Sequence, residues 1–278
     1  MKLNIPTSSF VDPSAVIQCE TFTLGENCYI GPGCKITCRE FTAGNYLYFS
    51  ANVEVGRGGC HGPRSKVVIG DNVGVFENTV INPSEQVTIG NNVGIGCECL
   101  LWTHGAWLDV LKGFPADFGP ISIGNDVWLP ARSIMLPNTN IGDNVVIGTG
   151  SIITKDIPSG SLAAGTPCKV LRENYYPKPL TKLEKYNIIN MIVQEWHQSQ
   201  LPFKQRDVSR VVVDENTLSI LVMQDGYTTL INTEERSIVG RVNDVVEDLR
   251  DFLRRKGIKI YTGKPFKSIK AGYELSWT

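Results

Sequence analysis

From Ile123 to Pro158 the sequence repeats every six residues. The hexads Ile-Gly-Asn-Asp-Val-Trp, Leu-Pro-Ala-Arg-Ser-Ile, Met-Leu-Pro-Asn-Thr-Asn, Ile-Gly-Asp-Asn-Val-Val, Ile-Gly-Thr-Gly-Ser-Ile and Ile-Thr-Lys-Asp-Ile-Pro follow without a gap. A large aliphatic residue opens each one: Ile123, Leu129, Met135, Ile141, Ile147 and Ile153. The fifth position is mostly small or β-branched, as in Val127, Ser133, Thr139, Val145 and Ser151. This period matches neither an amphipathic helix nor an alternating strand. It marks a hexapeptide β-helix, in which each hexad forms one flat face and three faces close a triangular coil.

The register recurs upstream. Leu24, Ile30 and Ile36 open hexads, then Ala43, Phe49 and Val55, then Ile69, Val75 and Ile81, then Ile89, Ile95 and Leu101. Segments that break the register must leave the prism as loops, since a stacked core has no spare volume. Gly56–Ser65 is one such loop and His104–Pro120 the longest.

The chain has 278 residues and a formal net charge of −1, which gives no bulk pull toward nucleic acid. Met-Lys-Leu-Asn-Ile-Pro lacks the apolar core of a secretory leader, and no apolar run is long enough to span a membrane. A cytoplasmic protein is expected. Of eight cysteines, Cys28, Cys34 and Cys99 occupy the fifth hexad position, where a free thiol serves as a small hydrophobe. Cys97 and Cys99 form a C-x-C without a second pair at zinc spacing, so the cysteines read as packing residues and no metal is expected.

The repeats stop near Pro158, and 159–174 reads as a cap on the open end of the prism. Residues 1–174 form the expected β-helix domain and 175–278 a helix plus a small α+β module, an overall mainly-β chain. Tyr-Tyr-Pro-Lys-Pro at 175–179 reads as a linker. Thr181 and Glu184 have capping-box spacing ahead of a helix over 181–199. Strands are expected at 208–213, 217–223, 226–232 and 236–240, a helix at 243–256, and a closing strand at 258–261.

Three histidines occur: His61, His104 and His197. His104 closes a hexad series at Leu-Trp-Thr-His and opens the long loop, whereas His61 and His197 read as structural or exposed. The chain re-enters the repeats at Pro120-Ile-Ser-Ile-Gly-Asn-Asp-Val-Trp128, leaves them at Thr154-Lys-Asp-Ile-Pro158, and continues to Ala164-Gly-Thr-Pro-Cys-Lys-Val-Leu-Arg172. On these motifs the segment from about 66 to 174 resembles the hexapeptide-repeat acetyltransferases, in the galactoside, maltose and xenobiotic acetyltransferase branch. The resemblance implies a left-handed parallel β-helix, assembly as a homotrimer, and acetyl-CoA as co-substrate. It implies His104 as general base, a task that suits imidazole because its ordinary pKa lies near neutrality. It implies contacts to CoA from Trp128, Ala131, Thr149, Thr154, Lys155, Lys169 and Arg172, three of them cations that suit phosphates. Asn78 is the candidate for holding an acceptor hydroxyl, and Trp107, with Phe114 and Phe118, suits stacking on a sugar. The family's acidic acceptor residue near the N-terminus has no counterpart here.

The expected function is acetyl transfer to a hydroxyl or amine of a sugar, sugar nucleotide or glycan. Alternatives are serine or another small molecule as acceptor, or a non-enzymatic β-helix scaffold. A carbonic-anhydrase-like zinc site needs three histidines, and the repeat region holds only His61 and His104.

Overall fold

The computed structural model describes residues 1–204 and 206–269. The chain divides into two compact units, Met1–Lys178 and Pro179–Thr278. The division falls inside the 175–179 stretch, a few residues beyond the expected one after residue 174.

The first unit is a left-handed parallel β-helix. One face stacks the strands Phe10–Val11, Tyr29–Ile30, Tyr48–Phe49, Gly74–Val75, Gly94–Ile95, Trp128–Leu129 and Val146–Ile147 in parallel. The long strand Lys35–Ala43 bends around a corner and joins the other two faces: its first half pairs with Glu54–Val55 and its second with Lys66–Ile69. Every hexad-opening residue from Leu24 to Ile153 is buried, and these side chains make one continuous core. Cys34 and Cys99 are fully buried at their fifth positions. Desolvation pushes the Cys99 thiol up to about 11, so it stays neutral in the core.

The Ile-Gly-Asn/Asp opening of a hexad has a direct physical reading. Gly124 lies against the next coil so closely that a Cβ would sit 2.5 Å from Asp143 Oδ1 and 2.8 Å from the Gly142 carbonyl carbon. The Asx residue after the glycine then accepts a backbone N–H from the coil before it. Asn45 N donates to Asp71 Oδ1, Asp71 N to Asn91 Oδ1, Asn91 N to Asn125 Oδ1 and Asn125 N to Asp143 Oδ1. The ladder satisfies corner N–H groups that the sheets cannot reach. Asparagine recurs at the left-handed corners, as at Asn72, Asn92 and Asn144, because its short polar side chain tolerates that conformation.

The cap is a hairpin. Leu162–Gly165 extends a face in parallel, and Cys168–Arg172 folds back on it antiparallel. The expected loop after His104 is itself largely a hairpin, with His104–Ala106 paired antiparallel to Ala116–Phe118 and a short 3-10 turn at Val110–Lys112.

In the second unit, a helix at Lys182–Glu195 starts on the capping box of Thr181 and Glu184. It runs on through a π turn at Trp196–Gln200. Strands Arg210–Val213, Ser219–Gln224, Tyr227–Asn232 and Ser237–Val239 form an antiparallel meander, followed by the helix Asp244–Arg255. Buried Asp248 accepts hydrogen bonds from Trp196 Nε1 (2.9 Å), Lys204 Nζ (2.6 Å) and Ile269 N (2.8 Å), which compensates its burial. The strand expected at 258–261 is absent. Side chains take its carbonyls instead: Arg236 Nη1 donates to Lys259 O and Arg250 Nη1 to Ile260 O. No helix among the described residues is long and apolar enough to cross a membrane.

Candidate active site

His104 begins the outgoing strand of the hairpin that leaves the prism. Its ring stacks between Trp102, 5.5 Å away at 23°, and Phe118, 5.7 Å away at 24°. The flanking rings fix the imidazole plane. Its rotation within that plane is set by Asn82, whose Oδ1 lies 2.9 Å from His104 Nδ1.

The asparagine cannot turn over. Its Nδ2 donates to the carbonyls of Gly56 and Gly58, each at 2.9 Å, and its Oδ1 also accepts from Ser84 N at 3.3 Å. Oδ1 therefore faces the histidine, and Nδ1 must carry the proton. The network thus assigns the tautomer, leaving Nε2 with the free lone pair. Thr103 completes the core of this corner. Its Oγ1 donates to Asn82 O at 2.8 Å and accepts from Glu85 N at 3.0 Å.

The Gly56–Ser65 loop borders the same ring. A Cβ on Gly58 would lie 3.7 Å from His104 Nε2, so the loop backbone runs beside the basic nitrogen. Arg64 clamps the loop to nearly buried Glu85 through two hydrogen bonds, Nε to Oε2 at 2.5 Å and Nη2 to Oε1 at 2.7 Å.

Asn78 occupies a left-handed corner, where its Oδ1 accepts from Asn52 Nδ2 at 3.4 Å. The asparagine that meets His104 is Asn82, a residue that the sequence reading did not single out. Asn82 directly follows the hexad-opening Ile81, and its bond to His104 spans 22 positions. Trp107 is 95% exposed at the hairpin tip, and the loop aromatic that touches His104 is Phe118.

On the expected CoA side, Trp128 is half exposed, and the Cε3–Cζ3 edge of its indole lies close against Gly94 of the preceding coil. Glycine permits this, since a Cβ on Gly94 would lie 2.6 Å from Trp128 Cε3. Ala131 sits on a corner of small residues, and its carbonyl accepts from Gly150 N at 3.1 Å. Thr149, Thr154, Lys155, Lys169 and Arg172 are all exposed, and neither Lys155 nor Lys169 forms an ion pair with a described residue. Arg172 lies 4.8 Å over the Tyr175 ring, and Lys178 Nζ lies 4.0 Å from the same ring and donates to Tyr175 Oη at 2.8 Å. This hydrogen bond and the lysine charge hold the Tyr175 phenol below its ordinary value. Among the described residues no group of three or more His, Cys, Asp or Glu is arranged to hold a metal ion.

Residues 120–155 match the family model for bacterial transferase hexapeptide (six repeats). The chain is 57% identical over 54 residues to galactoside O-acetyltransferase of Escherichia coli strain K12, a match that covers 19% of this chain and 27% of that relative. The chain thus spans about a quarter of that relative's length. A solved galactoside acetyltransferase in complex with coenzyme A is 33% identical, over 57% of this chain and 70% of the other, with a TM-score of 0.40. A maltose O-acetyltransferase from Clostridium difficile 630 is 29% identical, over 46% of this chain and 66% of the other, also with a TM-score of 0.40.

Proposed function

Because this chain belongs to the hexapeptide-repeat transferases, in the branch that holds the galactoside and maltose acetyltransferases, we propose that it transfers an acetyl group from acetyl-CoA to a sugar-type acceptor. The acceptor class is a hydroxyl or amine of a sugar, a sugar nucleotide or a glycan. The observation that carries this reading is the fixed tautomer of His104, whose Nδ1 is held by Asn82.

Acetyl-CoA supplies an activated thioester carbonyl. An acceptor hydroxyl attacks it well only as its proton departs, and His104 Nε2 takes that proton. The positive charge then on the ring faces two aromatic π surfaces, Trp102 and Phe118, which favour a cation. The same nitrogen returns the proton to the departing thiolate sulfur. Trp128, Ala131, Thr149 and Thr154 would flank the pantetheine arm, and Lys155, Lys169 and Arg172 would meet the phosphates. Cations without acidic partners suit this role, since no internal bond has to break first.

The working assembly is a homotrimer. The exposed hairpin tip, with Trp107, Leu108, Leu111 and Phe114, is the kind of apolar patch that a neighbouring subunit covers.

The test is release of CoA thiol from acetyl-CoA in the presence of a panel of free sugars, nucleotide sugars and oligosaccharides. Turnover with a sugar class, lost in His104→Ala, is the expected result. Failure of the protein to bind acetyl-CoA in calorimetry overturns the reading. So does turnover that His104→Ala leaves intact.

A further inference from the structure

The loop that brings Gly58 to His104 also carries His61, and His61 lines a separate cavity of about 510 Å³ near the first coils. Cys19, Cys38, Glu20 and Arg39 line the same cavity. Cys19 and Cys38 are register partners on adjacent parallel strands, and their sulfurs lie 3.7 Å apart. Neighbouring strands stand about 4.8 Å apart, and a disulfide accepts Cα separations of roughly 4.4–6.8 Å. The pair is therefore within bridging range, with a sulfur–sulfur gap that a χ1 adjustment can close.

Most cysteines of this chain fill the prism. Cys34 and Cys99 are fully buried in the core. Cys19 and Cys38 belong to the same buried cluster, 7% and 4% exposed, but they also line the cavity. Arg39 lines it too, its Nη2 paired with Glu40 and its Nε buried without a hydrogen-bond partner. The two thiols are also chemically unequal. The hydrogen bond from Cys38 holds the Cys19 thiol below its ordinary value, and the same bond makes Cys38 harder to ionise. That direction, together with the slightly greater exposure of Cys19, is why we assign Cys19 as the nucleophile and Cys38 as the resolving thiol.

We propose that Cys19 and Cys38 form a redox-active dithiol site that reacts with small hydroperoxides and closes to a disulfide. In the first step the Cys19 thiolate attacks the OH-bearing peroxide oxygen, the O–O bond breaks, and a sulfenic acid forms. The departing oxygen leaves as water or alcohol once protonated. In the second step the Cys38 sulfur displaces hydroxide from the sulfenic sulfur, and the Cys38 proton completes a water. Two thiols lose two electrons in total, and one hydroperoxide gains them.

The experiment uses the full chain, reduced, desalted and exposed to equimolar hydrogen peroxide, then alkylated under denaturing conditions. Mass spectrometry should show loss of two hydrogens and two fewer alkylated thiols of the eight. Peptide mapping should join Cys19 to Cys38 within one chain. In Cys38→Ser, dimedone should trap a sulfenic acid at Cys19. The mapping of the wild-type chain stands alone should that variant misfold. Retention of all eight alkylatable thiols overturns the proposal, as does a link or oxidation that maps elsewhere, for instance to partly exposed Cys97. None of these readouts depends on acetyl transfer.

Discussion

His104 Nδ1 and Asn82 Oδ1 lie 2.9 Å apart, across 22 positions of sequence, and the asparagine amide is locked by two loop carbonyls. One side chain thus fixes both the histidine tautomer and the path of the Gly56–Ser65 loop. Most triad-like arrangements place a carboxylate behind the histidine. An amide supplies orientation without a negative charge, so the orienting function can be tested apart from electrostatics.

His104→Ala should lower kcat by about 10²–10⁴-fold, the usual contribution of a general base. CoA affinity by calorimetry should stay near wild type, since His104 is assigned to the acceptor's proton. Retention of more than about a tenth of wild-type kcat would move the base assignment to another loop residue, Asp109 or Asp117 first.

Asn82→Ala should act on two observables at once. It frees the imidazole and leaves the Gly56 and Gly58 carbonyls without their donor. Loss of a buried partner costs about 1–3 kcal/mol, which chemical denaturation should register. Asn82→Asp keeps an acceptor for Nδ1 but still loses the two donors. It should therefore lose stability as the alanine variant does, yet retain more of kcat. Equal kcat for the two variants would remove Asn82 from the positioning of His104.

Lys155→Ala should show the reverse of His104→Ala: weaker CoA binding and a smaller fall in kcat at saturation. Gly94→Ala should weaken CoA binding too, by a different route. Its Cβ would meet the Trp128 indole at 2.6 Å and lift it from the coil. Competition by dephospho-CoA separates the two, because only a phosphate contact should distinguish that ligand from CoA. Unchanged CoA affinity in both variants would place the cofactor elsewhere.

A chain ended at Lys178, where the first compact unit stops, should bind CoA within about tenfold of the full chain, or roughly 1.4 kcal/mol. Every residue assigned to CoA precedes that point. A larger loss in a truncated protein that keeps its β-sheet circular dichroism would bring the second unit into the cofactor site.

The second unit should carry an acid-labile element at Asp251. Burial alone would raise its carboxyl, but Ser268, Arg254 and Arg255 outweigh this and hold it below the ordinary aspartate value. A carboxyl with a depressed folded-state pKa adds stability that is present above about pH 4, the unfolded value, and is lost as pH falls through the folded one. Asp251→Asn should therefore be less stable than wild type at neutral pH, and the difference should shrink below about pH 4. A pH-independent difference in denaturant midpoint would assign the effect to packing.

The prism was legible because its signal is periodic. Each coil repeats the demand for an aliphatic residue inside, a glycine at the close approach and an Asx at the corner, so noise at one rung is averaged over the others. His104 was legible from its place at the break in that period. Asn82 was not, since a polar residue beside Pro83 and Ser84 reads as loop, and nothing local announces a partner 22 residues away. The strand expected at 258–261 failed for a related reason. Its β-branched residues satisfied local propensity, but arginines from the turn before the meander's last strand and from the preceding helix took its carbonyls.

The Asx ladder has a consequence for how such a protein can change. The same backbone-to-Asx bond spans 26 residues from Asn45 to Asp71, 20 from Asp71 to Asn91, 34 from Asn91 to Asn125 and 18 from Asn125 to Asp143. The bond is blind to how much chain departs between one rung and the next. Excursions such as the one that begins at His104 can therefore lengthen, shorten or be exchanged without re-registering the coils. On the proposed function, acceptor choice becomes a property of detachable parts, while the frame that holds them stays as it is.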